Sequence, residues 1–305
     1  MPSAERLLPV TLCCVACAFG EPIDFAHVDN GTTVRAVSQG VNPPPYDARA
    51  AIGDGSHLSY PGALPNWFEL DLGQVRRVKS IEIDRRYADK GPDNFDISFA
   101  KQPDEWVRTI EVRGVGSTSG KYWFRVMTEP VEARYVRLNV LALHNYQWTT
   151  LNRFSLYGTS RIPRLMAENV DRYSWLAERL RKLTEESEKV AAPPSGSLPV
   201  ATAEVTGVAA LLTREDDITG DQWQCMDERF TGLQTEAYEA EARLSFVRLR
   251  NGTDGAVTVG AVDGMTKVFR HVWPANATRK LALSCARNER EGGQILLAAT
   301  RQDLA

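Results

Sequence analysis

The sequence predicts a mainly β protein. A β-sandwich is expected at residues 21–159, one long amphipathic helix at 160–191, a linker at 192–199 and a second, small β domain at 200–305. Three observations lead there. Residues 30–158 carry short runs of alternating apolar and polar residues, separated by Gly, Pro, Asn and Asp. Residues 163–190 switch to a helical period. A stretch rich in Pro, Gly and Ser follows, and alternation then returns. A chain of 305 residues has room for two folded domains, and for a third only if it is small.

The first twenty residues read as an export signal. Arg6 supplies positive charge, residues 7–20 are apolar apart from Pro9 and Thr11, and small residues stand at Ala16, Ala18 and Gly20. A charged start, an apolar middle and a small-residue end are the parts of a secretory signal, with cleavage expected after Ala18 or Gly20. The competing reading is a buried N-terminal helix or strand. Anchoring as a lipoprotein through Cys17 is disfavoured, because Cys14 stands where such signals carry Leu. The secreted chain then retains Cys225 and Cys285. An exported protein with two cysteines is a disulfide candidate, the alternative being two buried free thiols.

The strands of the sandwich follow in order. Phe68, Leu70 and Leu72 share one face of an alternating run, as do Ile81 with Ile83, and Val136, Leu138 and Val140. Period two with one apolar face marks an antiparallel, half-buried sheet. The helix is announced by Met166, Val170, Tyr173, Ala177 and Leu180, at spacings of four and three, with Pro163 suited to a first turn. Residues 191–197, Ala-Ala-Pro-Pro-Ser-Gly-Ser, form the linker. Beyond it, Val257, Val259 and Ala261 alternate. Further strands are expected at 223–225, 267–273, 281–285 and 295–298.

Composition excludes several functions. A net charge of −3, from 36 basic and 39 acidic residues, rules out a generally basic surface for nucleic acid. No apolar run reaches the roughly 18 residues of a membrane span. Four His and five Cys show no metal-site spacing. There is no G-x-S-x-G, no phosphate-binding glycine loop and no dinucleotide fingerprint. Asp216-Asp217 and Asp227-Glu228 are acidic pairs that read as turn or surface residues.

Several segments in order resemble the discoidin family, also known as the coagulation factor 5/8 C-type domain. Residues 51–56, Ala-Ile-Gly-Asp-Gly-Ser, resemble its early Asp-Gly turn. Residues 66–73, Asn-Trp-Phe-Glu-Leu-Asp-Leu-Gly, resemble its W-x-x-x-D-L-G strand, and Phe95 to Trp106 its Trp strand. Residues 133–138, Ala-Arg-Tyr-Val-Arg-Leu, are close to its A-R-Y-V-R-L strand. Residues 154–158, Phe-Ser-Leu-Tyr-Gly, resemble its closing strand. The resemblance covers about residues 28–159. It implies a galactose-binding-like jelly roll that binds a ligand, often a glycan or a cell-surface polysaccharide, with loops at one end.

The loops have matching chemistry. A sugar offers C–H faces flanked by hydroxyls, so a site wants an aromatic plate beside polar groups. His144, Asn145, Tyr146 and Trp148 supply this in the loop before the last strand, and Arg86 with Tyr87 in another. Asn42, Tyr46 and His57 add to the rim. The competing reading packs Tyr146 and Trp148 into the barrel mouth. The first loop carries no Lys or Arg, which argues against a lipid surface. The family often holds a Ca²⁺ near the early turn, where Asp54 matches a ligand position. Arg153 stands where the family places Glu, and a cation there opposes a bound cation. The expected function is therefore a secreted, non-catalytic glycan-binding protein. The alternatives are a hydrolase with its activity in the C-terminal domain, or a structural or adhesion protein of the cell envelope.

Overall fold

The computed structural model describes residues 22–38, 42–53, 56–61, 63–87, 91–115, 122–145, 147–189, 198–214, 218–251, 257–263 and 293–299. The expected export signal at residues 1–20 lies outside them. The chain divides into two compact units. One comprises the residues up to Ala167 together with 215–223, and the other comprises 168–214 and the chain from Gln224 onward.

The first unit is an antiparallel β-sandwich. Its strands are β1 (Thr33–Val37), β2 (Leu58–Tyr60), β3 (Asn66–Arg85), β4 (Gly91–Ala100), β5 (Trp106–Val112), β6 (Tyr122–His144) and β7 (Thr149–Tyr157). Hydrogen bonding joins β5, β4, β6, β3, β7 and β2 in that order, with β1 on the other edge of β3. The long strands β3 and β6 serve both layers. The first half of β3 pairs with β1 and with residues 135–140 of β6. Its second half pairs with residues 122–133 of β6 and with β7. Both ends of β3 return to the start of β7. Asn66 accepts a hydrogen bond from Thr149 (2.5 Å), and Arg85 lies opposite Leu151. A straight strand of that length could not do this, so β3 folds over between Asp71 and Arg76, where its pairing with β6 is interrupted. Gly73 takes φ +74 at that corner and donates its N–H to Asp71. Glycine meets this left-handed backbone without a Cβ clash.

The core lies between the layers. Phe68, Leu70, Leu72, Ile81, Ile83, Phe95, Ile97, Phe99, Val136, Leu138, Val140, Phe154 and Leu156 are all buried there, including every inward position expected from the alternation. On the outer face, Glu69 is buried with Arg35 and Arg137. The Arg137 guanidinium lies between Trp67 and Trp106, 4.7 and 4.6 Å from the ring centroids. Arg164 reaches Glu82 (2.7 Å) and Asp84 (2.8 Å) of β3. Burial pushes the Glu82 carboxyl above the usual carboxylate range, against the pull of Arg164.

Helix α1 (Pro163–Lys189) forms where expected, with a shifted apolar stripe. Tyr173 and Leu180 are buried as read from sequence. Their partners are Leu165, Asn169, Leu176 and Leu183 rather than Met166, Val170 and Ala177.

The expected β-rich domain at 200–305 needs correction. Residues 198–213 and 220–251 form two helices, α2 (Leu198–Thr213) and α3 (Gly220–Asn251), and the expected strand at 223–225 lies within the first two turns of α3. The reason is a repeat of three and four. Trp223, Met226, Phe230, Leu233, Ala237, Ala240 and Leu244 are buried along α3, and Leu198, Ala201, Val205, Ala209 and Leu212 along α2. In the second unit, Arg172 pairs with Asp227, Arg179 with Glu241, and Glu186 with Arg248. The pairs advance in the same direction on both helices, so α1 and α3 run parallel and α2 must run back between them. Among the described residues, strands stand at β8 (Val257–Asp263) and β9 (Gly293–Ala299), which pair antiparallel and contain two of the expected runs. The expected strands at 267–273 and 281–285 lie outside the described residues, as do residues 192–197 of the expected linker, whose last two residues, 198 and 199, instead open α2. Cys225, one half of the expected pairing with Cys285, is exposed on α3. Cys285 itself lies outside the described residues.

Candidate functional site

The fold-back of β3 and β6 gathers several chain ends at one end of the sandwich. Arg85 closes β3 opposite Leu151, His144 closes β6 opposite Gly91, and Tyr60 of β2 lies opposite Thr149. The loops leaving these positions carry the polar and aromatic residues singled out from sequence.

Arg86 and His57 form the centre. His57 is 7% exposed, whereas Arg86 is open to solvent. Arg86 Nη1 lies 3.0 Å from His57 Nδ1 and closer still to Nε2. A guanidinium can only donate, so the ring offers it an unprotonated nitrogen. Ser56 Oγ lies 2.8 Å from Nδ1. Burial holds the His57 imidazole below the ordinary histidine range, and the Arg86 charge adds to the effect. The ring is therefore a neutral acceptor.

Aromatic rings flank the pair. Tyr46 packs on His57 with centroids 4.9 Å apart, and Arg86 sits 5.3 Å from the Tyr87 centroid. Below them, Arg85 is 1% exposed, and a Cβ at Gly91 would come within 3.3 Å of its Cδ. Gly91 has φ +124, so the close approach and the backbone both call for glycine. Opposite it, His144 Nε2 accepts from Asn145 Nδ2 at 2.9 Å. Asn145 takes φ +47, a left-handed conformation that Asn tolerates better than most residues. Trp148 follows with 43% of its surface exposed, just before the buried Thr149–Asn66 hydrogen bond. Such an anchor lets a loop residue present a ring without losing its place.

Of the sequence-derived residues, Arg86 and Tyr87 are in contact, and so are His144 and Asn145. The rim residues Tyr46 and His57 join the first pair. Tyr146 and Asp54 lie outside the described residues. The central place of His57 was missed. Its partner is 29 positions away in sequence, and only the clue of a His beside a short strand was available. In the second unit, Asp227 is taken by Arg172 (2.8 Å) and Glu228 accepts from Gln224 (2.8 Å). Both lie on the surface of α3, and Asp216 and Asp217 lie outside the described residues.

Residues 33–157 match the family model of the F5/8 type C domain. Among solved structures, the chain is similar to the family 32 carbohydrate-binding module from Streptococcus pneumoniae EndoD. That match has 16% identity and a TM-score of 0.38, and covers 44% of this chain and 99% of that one. A Streptococcus pneumoniae fucose binding module is 19% identical, with 46% and 98% covered and a TM-score of 0.34. Chitosan-binding module 1 of a chitosanase/glucanase from Paenibacillus sp. IK-5 is 19% identical, with 45% and 99% covered and a TM-score of 0.34. No curated protein matches the chain.

Proposed function

We propose that the F5/8 type C domain at residues 33–157 binds a glycan through its loop end, and that the protein is an exported, non-catalytic binding protein. One observation carries the reading. An exposed guanidinium and a neutral imidazole are held together between Tyr46 and Tyr87, at the end of the sandwich where Trp148 stands open. Arg86 offers donors and the His57 ring edge is polar, which suits vicinal hydroxyls. Tyr87 and Trp148 offer apolar faces, which suit the C–H face of a sugar. His144 and Asn145 supply further polar groups beside them. Export rests on the composition of residues 1–20.

A shallow single site of this kind binds with a dissociation constant on the order of 0.1–1 mM, or roughly 4–5 kcal/mol. The test is a glycan array probed with the full chain, followed by titration calorimetry of the best ligand against wild type and Arg86→Ala. A loss of at least about tenfold in the folded variant is expected, since hydrogen bonds from charged groups contribute more than neutral ones. A chain that retains no glycan on the array would refute the proposal.

A further inference from the structure

We infer that the glycan bound at this site is acidic, carrying a carboxylate that the Arg86 guanidinium receives. This deepens the glycan-binding reading and rests on it.

Other arginines of the domain meet carboxylates. Arg113 is taken by Asp96 (2.7 Å), Arg134 by Asp71 (2.8 Å), Arg137 by Glu69 (2.7 Å) and Arg164 by Asp84 (2.8 Å). Arg35 meets both Glu69 and Asp104. The charge of these five is neutralised inside the domain, whereas Arg76 and Arg108 meet the backbone carbonyls of Asn30 and Glu129. Arg86 stands at the loop end and meets neither kind of acceptor among the described residues. Among the described residues its partners are the ring nitrogens of His57 and the face of Tyr87. Neither carries a negative charge, and His57 is held neutral. The nearby Asp47 is committed to Arg49 at 2.8 Å. The described residues of the site are Tyr46, His57, Arg86, Tyr87, His144, Asn145 and Trp148. They include one permanent cation and no carboxylate. Asp54 and Asp89 lie outside the described residues.

The geometry adds to the charge. His57 and Tyr87 hold the guanidinium in place while leaving it exposed. A fixed planar fork with free donors matches a carboxylate in two-point fashion, and the ordering cost is already met by the protein. A neutral sugar hydroxyl would use the same donors one at a time.

The experiment compares matched sugars on the full chain by calorimetry: galactose, galacturonate and galactose 6-sulfate, together with an array of neutral and acidic glycans. Galacturonate differs from galactose only in the carboxylate. Acidic members should bind about tenfold or more tightly than their neutral counterparts, and the preference should shrink with added salt. Arg86→Gln should abolish the preference, and Arg86→Lys should keep only part of it, because the charge remains and the fork is lost. Equal binding of neutral and acidic members would overturn the acidic assignment and leave the glycan reading standing. Preference for the sulfate over the carboxylate would also overturn it. Absence of binding to either set would refute the glycan reading itself.

Discussion

Replacing Trp148 by alanine separates a ligand platform from a packing residue. The side chain keeps 43% of its surface exposed. For a Trp of about 250 Å² this leaves about 110 Å² in contact with water. A sugar ring that covers half of this removes about 50 Å² from water, and at about 25 cal/mol per Å² that stabilises binding by about 1.3 kcal/mol. Trp148→Ala should therefore weaken glycan binding by about tenfold. The packed part of the ring has its own cost. A fully buried Trp truncated to alanine costs about 3–5 kcal/mol, so a half-packed one should cost about 2 kcal/mol of folding stability. Calorimetric titration reads the first quantity and a urea melt the second. Trp148→Phe should recover most of both. Unchanged affinity in a folded Trp148→Ala protein would refute the stacking role and shift it to Tyr87. A stability loss near 5 kcal/mol would identify Trp148 as a core residue.

Four further outcomes are expected. The His57 imidazole is held below its ordinary pKa, so its contribution is present at neutral pH and is lost as pH falls through the depressed folded value. Folding stability should decline as the pH falls below the ordinary histidine range, and His57→Gln should flatten that decline in denaturant melts. Gly91→Ala forces a Cβ onto backbone with φ +124, 3.3 Å from Arg85 Cδ. It should cost about 1–3 kcal/mol in a denaturant melt and weaken glycan binding as well, and an unchanged midpoint would contradict the packing described. Tyr173→Phe removes the buried hydroxyl that donates to the Met226 carbonyl at 2.8 Å, and should cost about 1 kcal/mol in helix unfolding followed by circular dichroism. Finally, with Arg153 beside Asp24 and Glu82, added Ca²⁺ should leave the melting temperature unchanged, and a rise of many degrees would refute that.

The strands were legible because each has one buried face. Phe68, Leu70 and Leu72 alternate with polar residues on the other face, where the buried Glu69 keeps the polar letter that marks the period. Where both faces are covered, as from Ser80 to Arg85, alternation marks only the apolar half, and the buried Glu82 and Asp84 look like surface residues. Helices α2 and α3 escaped for a different reason. Their buried stripes rely on Ala201, Ala209, Ala237 and Ala240, whose small side chains contrast little with their neighbours. The Val and Thr residues of α2 also favour strands, and tertiary packing overrode that propensity. The site was half legible. Aromatic and polar residues close together on a loop can be seen in a string of letters. The meeting of Arg86 with His57 depends on how β2 and β3 are brought side by side by β7, which no local pattern encodes.

The course of β7 bears on how the domain carries load. Its first residue, Thr149, is pinned beneath the loop end, and its last, Tyr157, leads toward α1. A protein tethered by its C-terminal chain and tugged by a surface-bound glycan is stretched along this strand. β7 is laced lengthwise to β3 on one side and to β2 on the other. Tension along the strand strains those rungs together, as in a lap joint, instead of opening them one after another like a zipper. The domain should thus yield to pulling in this direction only at forces well above those needed to unzip a hairpin such as β8–β9 from its open end.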